Sequence, residues 1–161
     1  MKIIFGLGNK GKVFLNTRHN LGQWFLAKLQ EDSTIKDYIE KSEIVLIKNS
    51  KFMNEAGVSV KKALDQHQTP FDNLLVIHDD WDLPVGSCRL QKGKNSAGHK
   101  GVQSIIDALG SKDFWRLRIG IGLGPKERRE EFVLGKLESS ERRQLKLLLP
   151  NLIDSIKSWL A

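Results

Sequence analysis

The 161-residue chain has one cysteine, Cys88. That excludes an internal disulfide and suits a reducing compartment. No apolar run approaches the roughly 20 residues that a membrane-spanning helix needs. Met1-Lys2 leads straight into "IIF", without the apolar stretch and small-residue cleavage site of a secretory signal. The expectation is a cytoplasmic protein that does not contact a membrane. Repeats, low-complexity tracts and linker-like stretches are lacking too, so one domain over 1–161 is expected. Two segments lack acid altogether. Residues 1–30 carry Lys2, Lys10, Lys12, Arg18 and Lys28, and the stretch between Asp82 and Asp107 carries Arg89, Lys92, Lys94 and Lys100. With a net charge of +7, such one-sided segments point to a polyanionic partner, most simply nucleic acid. A generally basic surface is the plain alternative. "PKERREE" and "ESSERRQ" mix both signs at helical spacing and read as solvated faces.

What is present is a composition ordinary for a globular protein, with 40% hydrophobic and 28% charged residues. Against it stands the glycine-rich "FGLGNKGKV" at 5–13. Gly6, Gly8 and Gly11 match the dinucleotide fingerprint, and Gly6 to Lys12 match a phosphate loop except that Val13 replaces its hydroxyl residue. Either motif needs a helix to start at the loop, because helix N-terminal N–H groups bind the phosphate. "VFLNTRHN" follows instead, and helical spacing begins only near Asn20, with Leu21, Trp24, Phe25 and Leu29. Glu31 and Asp32 come at the end of that helical stretch rather than at a strand end, where a ribose-binding acid belongs. The glycine loop is therefore expected to serve something other than a nucleotide.

Short apolar runs at 3–7, 44–47 and 74–77 predict buried strands. The alternating "RLRIGIG" at 116–122 predicts a strand with one polar side, and 88–91 a further one. Helices are predicted over 20–30, 55–67, 101–109 and 140–160, the last with a kink or break at Pro150. This alternation implies a single-domain, three-layer α/β fold whose twisted, mixed but mostly parallel sheet is flanked by helices. Ligands of such sheets sit beyond the carboxyl ends of the strands. Asn9, "TRHN" at 17–20, Met53-Asn54 and "HDD" at 78–80 all fall near that edge, and "SAGHKG" at 96–101 enters a helix beside it.

Histidine at a helix N-terminus meets a positive dipole, which keeps its neutral, basic form available. His19 supported by Asp79, Asp80 or Asp82 would activate water, and the amide of Asn54 would stabilise an oxyanion without adding charge. Each residue also has a plainer use. A lone histidine such as His19 near a helix start reads more often as a cap or surface residue, Asn54 as an N-cap, and "HDDWD" as a solvated loop or a magnesium cluster with His99 nearby. Trp24, Trp81, Trp115 and Trp159 read as core or boundary residues rather than base-stacking platforms.

Taken in order, "GLGN", "TRHN-x-G", "FMN-x-x-G", "HDDWDLPVG", "AGHKG-x-x-S-I", "RLRIGIG" and "FVLGK" resemble the bacterial-type peptidyl-tRNA hydrolases up to about Lys136. The resemblance implies hydrolysis of the ester joining a peptide to the 3′ end of tRNA, by a monomer that uses no cofactor and no metal. It implies His19 as the base, Asp79 as its supporting carboxylate, and Asn9 as the residue that tells N-blocked peptidyl esters from free aminoacyl esters. Asn54 would help hold the substrate and the tetrahedral intermediate. Phe14, Phe52, Asn54 and Lys100 fall on the tRNA-acceptor contacts, and Arg118, Lys92 and Lys94 would meet phosphates. On this reading the glycine loop turns the backbone sharply to present Asn9 beside His19.

The chain departs from the family pattern at Lys10 and Asn49, where proline is usual, and at Phe14, Ala56 and Lys100, where tyrosine, serine and asparagine are usual. The segment between "TRHN" and "FMN" and the C-terminal region are short for the family. A non-catalytic RNA-binding module on the same fold, and a metal-dependent nuclease built on "HDDWD", are the competing expectations.

Overall fold

The computed structural model describes residues 1–122, 124 and 126–161. Its apolar runs become the strands β1 (Lys2–Gly6), β2 (Ile44–Lys48) and β3 (Leu74–Asp80), followed by β4 (Cys88–Lys92) and β5 (Trp115–Gly120). They form one sheet in the order β2-β1-β3-β5-β4, parallel throughout except for the antiparallel β4–β5 pair. β3 is three residues longer than its apolar run predicts, so His78, Asp79 and Asp80 lie in the strand rather than after it.

One face of the sheet is covered by α1 (Leu21–Glu31), α2 (Ser33–Glu40) and α6 (Ser139–Leu160). α3 (Ala56–Gln66) and α4 (Lys100–Leu109) cover the other, and α5 (Arg129–Val133) is a short helix before α6. Burial of both sheet faces explains why β1 and β3 read as unbroken apolar runs. Helix α2 has no counterpart in the sequence reading. Its start is signalled by Asp32, whose carboxylate accepts the N–H groups of Thr34 (2.9 Å) and Ile35 (3.1 Å).

Two expectations change. α6 is not broken at Pro150. Pro150 and Lys146 are both exposed, so the carbonyl that loses its helical donor is left to water. In the glycine loop only Gly11, after Asn9, takes the positive φ of a turn (104°), whereas Gly6 and Gly8 before it act by close approach. A Cβ on Gly6 would stand 2.7 Å from the carbonyl oxygen of Gly22, and one on Gly22 would collide with the carbonyl oxygen of Ile77. α1 therefore presses directly onto β1 and β3, which brings the residues before it to the carboxyl end of the sheet. Among the described residues, no helix is long and apolar enough to cross a membrane.

Candidate active site

Asp79, near the carboxyl end of β3, is 1% exposed and carries a histidine on each side. His19, in the 3-10 turn Arg18–Asn20 ahead of α1, points Nδ1 at both carboxylate oxygens, at 2.9 and 3.1 Å. His99, the N-cap of α4, places Nε2 2.9 Å from Oδ1. Its Nδ1 accepts the N–H groups of Gly101 (3.1 Å) and Val102 (3.3 Å), so Nδ1 is unprotonated and Nε2–H donates to Asp79. Burial by itself raises the Asp79 carboxyl. The charge and hydrogen bonds of His19 and His99 outweigh it and hold Asp79 below the usual carboxylate range. An ionised Asp79 takes Nδ1–H from His19 and leaves Nε2 as the basic nitrogen of a ring that lines the cleft.

The other two acids go elsewhere. Asp80 pairs with Arg118 at 2.7 Å, and Asp82 faces Arg129 at 3.5 Å. A magnesium cluster on "HDDWD" is therefore not assembled, since its carboxylates diverge to separate cations. Among the described residues, the group able to gather round a metal is His19, Asp79 and His99. It offers a single carboxylate, unlike the oxygen-rich shell that magnesium takes.

The opposite wall is a chain of asparagines. Asn20 accepts the N–H of Asn9 (2.8 Å) and donates to its carbonyl (2.9 Å). The side chain of Asn9 accepts the N–H of Met53 at 2.7 Å, which leaves its NH2 as a donor at the cleft. Asn49 donates to the carbonyl of Gly8 (2.8 Å) and, in the next loop, to that of Lys51 (3.0 Å). Lys10 adds a backbone N–H to the Lys51 carbonyl at 3.1 Å, a bond that proline could not make. Two departures from the family pattern thus tie the glycine loop to the loop before α3. Asn54 is exposed at the cleft and caps neither the adjacent 3-10 turn nor α3, contrary to the plainer reading of it.

The cleft has a volume of about 250 Å³ and brings together Asn9, His19, Asn54 and Lys100, with Trp81 and Leu134 as apolar lining. Lys100 is largely exposed, and its ammonium meets Glu130 of α5 at 3.1 Å. Phe52 is 42% exposed, with the ammonium of Lys10 4.9 Å from its ring centre. Phe14 is half-buried, Lys94 is half-buried, and Lys92 is exposed and paired with Asp72 at 3.0 Å.

Arg118 requires a correction. It is 2% exposed, and its guanidinium is taken by Asp80 and by Gln91 at 2.9 Å, so it does not present itself to phosphate. The polar side of β5 is a buried one. Arg116 is 1% exposed and donates to the Asn95 carbonyl at 3.1 Å, and burial lowers it to about 10.

Sequence reading placed Asn20, in "TRHN", and His99, in "SAGHKG", near this edge without giving either its role, and it named Asn49 only as a departure from the family pattern. His99 is not among the usual capping residues, and the 20 positions separating it from Asp79 carry no local signal. Asn20 sits in "TRHN", and only its contact with Asn9 reveals its use.

Fold and site together define an α/β protein with a carboxylate-supported imidazole at the carboxyl end of a mostly parallel sheet. Residues 3–161 match the family model described as peptidyl-tRNA hydrolase. A peptidyl-tRNA hydrolase of Thermodesulfovibrio yellowstonii is 38% identical, with 97% of this chain and 90% of the relative covered. That of Lawsonia intracellularis is 39% identical, covering 98% and 86%. The crystal structure of peptidyl-tRNA hydrolase from Acinetobacter baumannii superposes with a TM-score of 0.82 at 29% identity, covering 99% of this chain and 88% of that one. The chain belongs to the peptidyl-tRNA hydrolase family.

Proposed function

We propose that His19 is the general base of this member of the peptidyl-tRNA hydrolase family. Its Nε2 takes a proton from the water that attacks the ester carbonyl joining the peptide to the 3′ end of tRNA. Collapse of the tetrahedral intermediate expels the ribose oxygen, which takes that proton back from the imidazolium, and the peptide leaves as a carboxylic acid that ionises in water. The observation that carries this reading is the buried Asp79 carboxylate held by His19 and His99, because it sets the tautomer that leaves Nε2 basic. A module that only bound RNA would have no use for such an arrangement.

Asn9, with its oxygen occupied by Met53, offers an N–H donor to the carbonyl of an N-blocked peptide. Asn54, free of capping duty, is placed to hold the substrate and the developing oxyanion. Phe14, Phe52 and Lys100 meet the acceptor end, and Lys92 and Lys94 its phosphates. Arg118 acts behind them by holding Asp80. We take the whole chain as one catalytic domain, working as a cytoplasmic monomer on the product of translation.

The test is hydrolysis of N-blocked aminoacyl-tRNA with and without EDTA. Chelator-resistant release of the acyl group with intact tRNA supports the reading. Cut RNA, or turnover that the chelator abolishes, overturns it.

A further inference from the structure

The residue just before the proposed base makes several polar contacts near the cleft, and none of them is to the base. Arg18 donates Nε–H to one carboxylate oxygen of Glu141 at 3.0 Å and Nη2–H to the other at 2.7 Å. Its Nη1–H goes to the Phe132 carbonyl at 3.1 Å, and its guanidinium lies 4.1 Å from the centre of the Phe132 ring. Its backbone N–H donates to the Gly135 carbonyl at 3.0 Å. The pair is largely buried, with side-chain exposures of 11% and 15%. Gly135 makes room for it, since a Cβ there would stand 2.6 Å from Nη1. Phe132 belongs to α5, and Glu141 is the N3 residue that closes the capping box of α6.

α5 and the residue after it form one wall of the cleft through Glu130, Val133 and Leu134. Val133 anchors α5 in the core, but the other ion pairs on α5 are more exposed. Lys100–Glu130 spans side chains 64% and 78% exposed, and Arg129–Asp82 spans side chains 25% and 38% exposed. Exposed pairs of this kind contribute little to holding an element in place, whereas a bidentate Arg–carboxylate pair out of water fixes both distance and angle.

We propose that Arg18 is a positioning residue for substrate binding, whose guanidinium holds the α5 wall at a fixed separation from His19. It does not orient the base, because the His19 ring is held through Nδ1 by Asp79. Loosening the clamp therefore weakens contacts between substrate and wall while the chemistry of bound substrate is unchanged. The inference rests on His19 being the base, and His19→Ala accompanies the test so that the two can fail separately.

The experiment measures kcat and KM on N-blocked aminoacyl-tRNA for the parent, Arg18→Gln, Arg18→Lys and Gly135→Ala. The alanine keeps both charges and displaces the guanidinium by its methyl group alone. KM is expected to rise on the order of tenfold in Arg18→Gln and Gly135→Ala and less in Arg18→Lys, with kcat within about twofold and an unmoved pH profile. Loss of folded protein alone would lower kcat at constant KM, and that result overturns the proposal, as does a shifted pH profile or no change. If Arg18→Gln does not fold, Gly135→Ala and Arg18→Lys carry the same test. Turnover surviving in His19→Ala would overturn the reading of the base while leaving the clamp to be judged on KM.

Discussion

Asp79 serves two imidazoles, and removing it should differ from removing either. His19→Ala takes away the proposed base and is expected to lower kcat by roughly 10³-fold, with tRNA binding largely intact. Asp79→Ala leaves a base without a fixed tautomer and should cost about tenfold less. Single-turnover rates beside filter-binding affinities check both, and equal losses of rate and affinity in the two variants would mean a structural role. Lys100 stands where the family has asparagine. Its ammonium is paired with Glu130 on the cleft wall and its side chain is 64% exposed, so it offers the cleft neither a fixed donor nor an acceptor. Lys100→Asn is expected to raise kcat about several-fold while changing tRNA affinity little, because an exposed pair is worth at most ~1 kcal/mol. Lower activity than the parent would show that the lysine itself handles substrate.

Elements differ in how openly the sequence announces them. The predicted helices are found within one residue of their expected ends because each has an amphipathic stripe. α2 has such a stripe over only eight residues, with Ile35 its single fully covered side chain. Its start depends on the Asp32 cap. Asp32→Ala should therefore cost about 1 kcal/mol in urea unfolding, and Asp32→Ser much less. The strand β5 shows the opposite case. Its alternation was legible, but its polar face is turned to Asp80, Gln91 and Asn95 rather than to water. Alternation reports two unlike faces without saying which one meets solvent.

Across the whole molecule, charge and pH act on different surfaces. Binding of tRNA should weaken steeply with salt. Reversing both Lys92 and Lys94 should flatten the log–log slope by roughly one to two units, whereas reversing the exposed Arg142 and Arg143 on α6 should not. Equal effects from the two pairs would misplace the RNA surface. Stability should respond to pH through His78, which burial first, then His99 and Arg116, push down to about 3. An unfolded histidine titrates near ~6.5, so between that pH and 3 the unfolded chain binds the extra proton and stability falls as pH falls. From pH 7 to pH 5 the loss should be about 2 kcal/mol by urea unfolding, and His78→Asn should remove most of it. Asp79 adds nothing in that window. Its depressed carboxyl contributes stability that is lost only below the ordinary carboxylate range.

The sequence by itself determined the strands, the longer helices and the edge at which chemistry gathers. Those follow from local periodicity and from the rule that parallel sheets place polar residues at their carboxyl ends. Motif order carried the pairing of His19 with Asp79. Only the tertiary structure decided that His99 shares the same carboxylate, that Asp80 draws Arg118 out of reach of phosphate, and that Arg18 closes on Glu141 123 residues away. The physical reason is that a local pattern records whether a side chain is covered and never by what. Partners at the site are chosen by the order β2-β1-β3-β5-β4 and by the close approach of α1 at Gly22, both settled by how the whole chain packs.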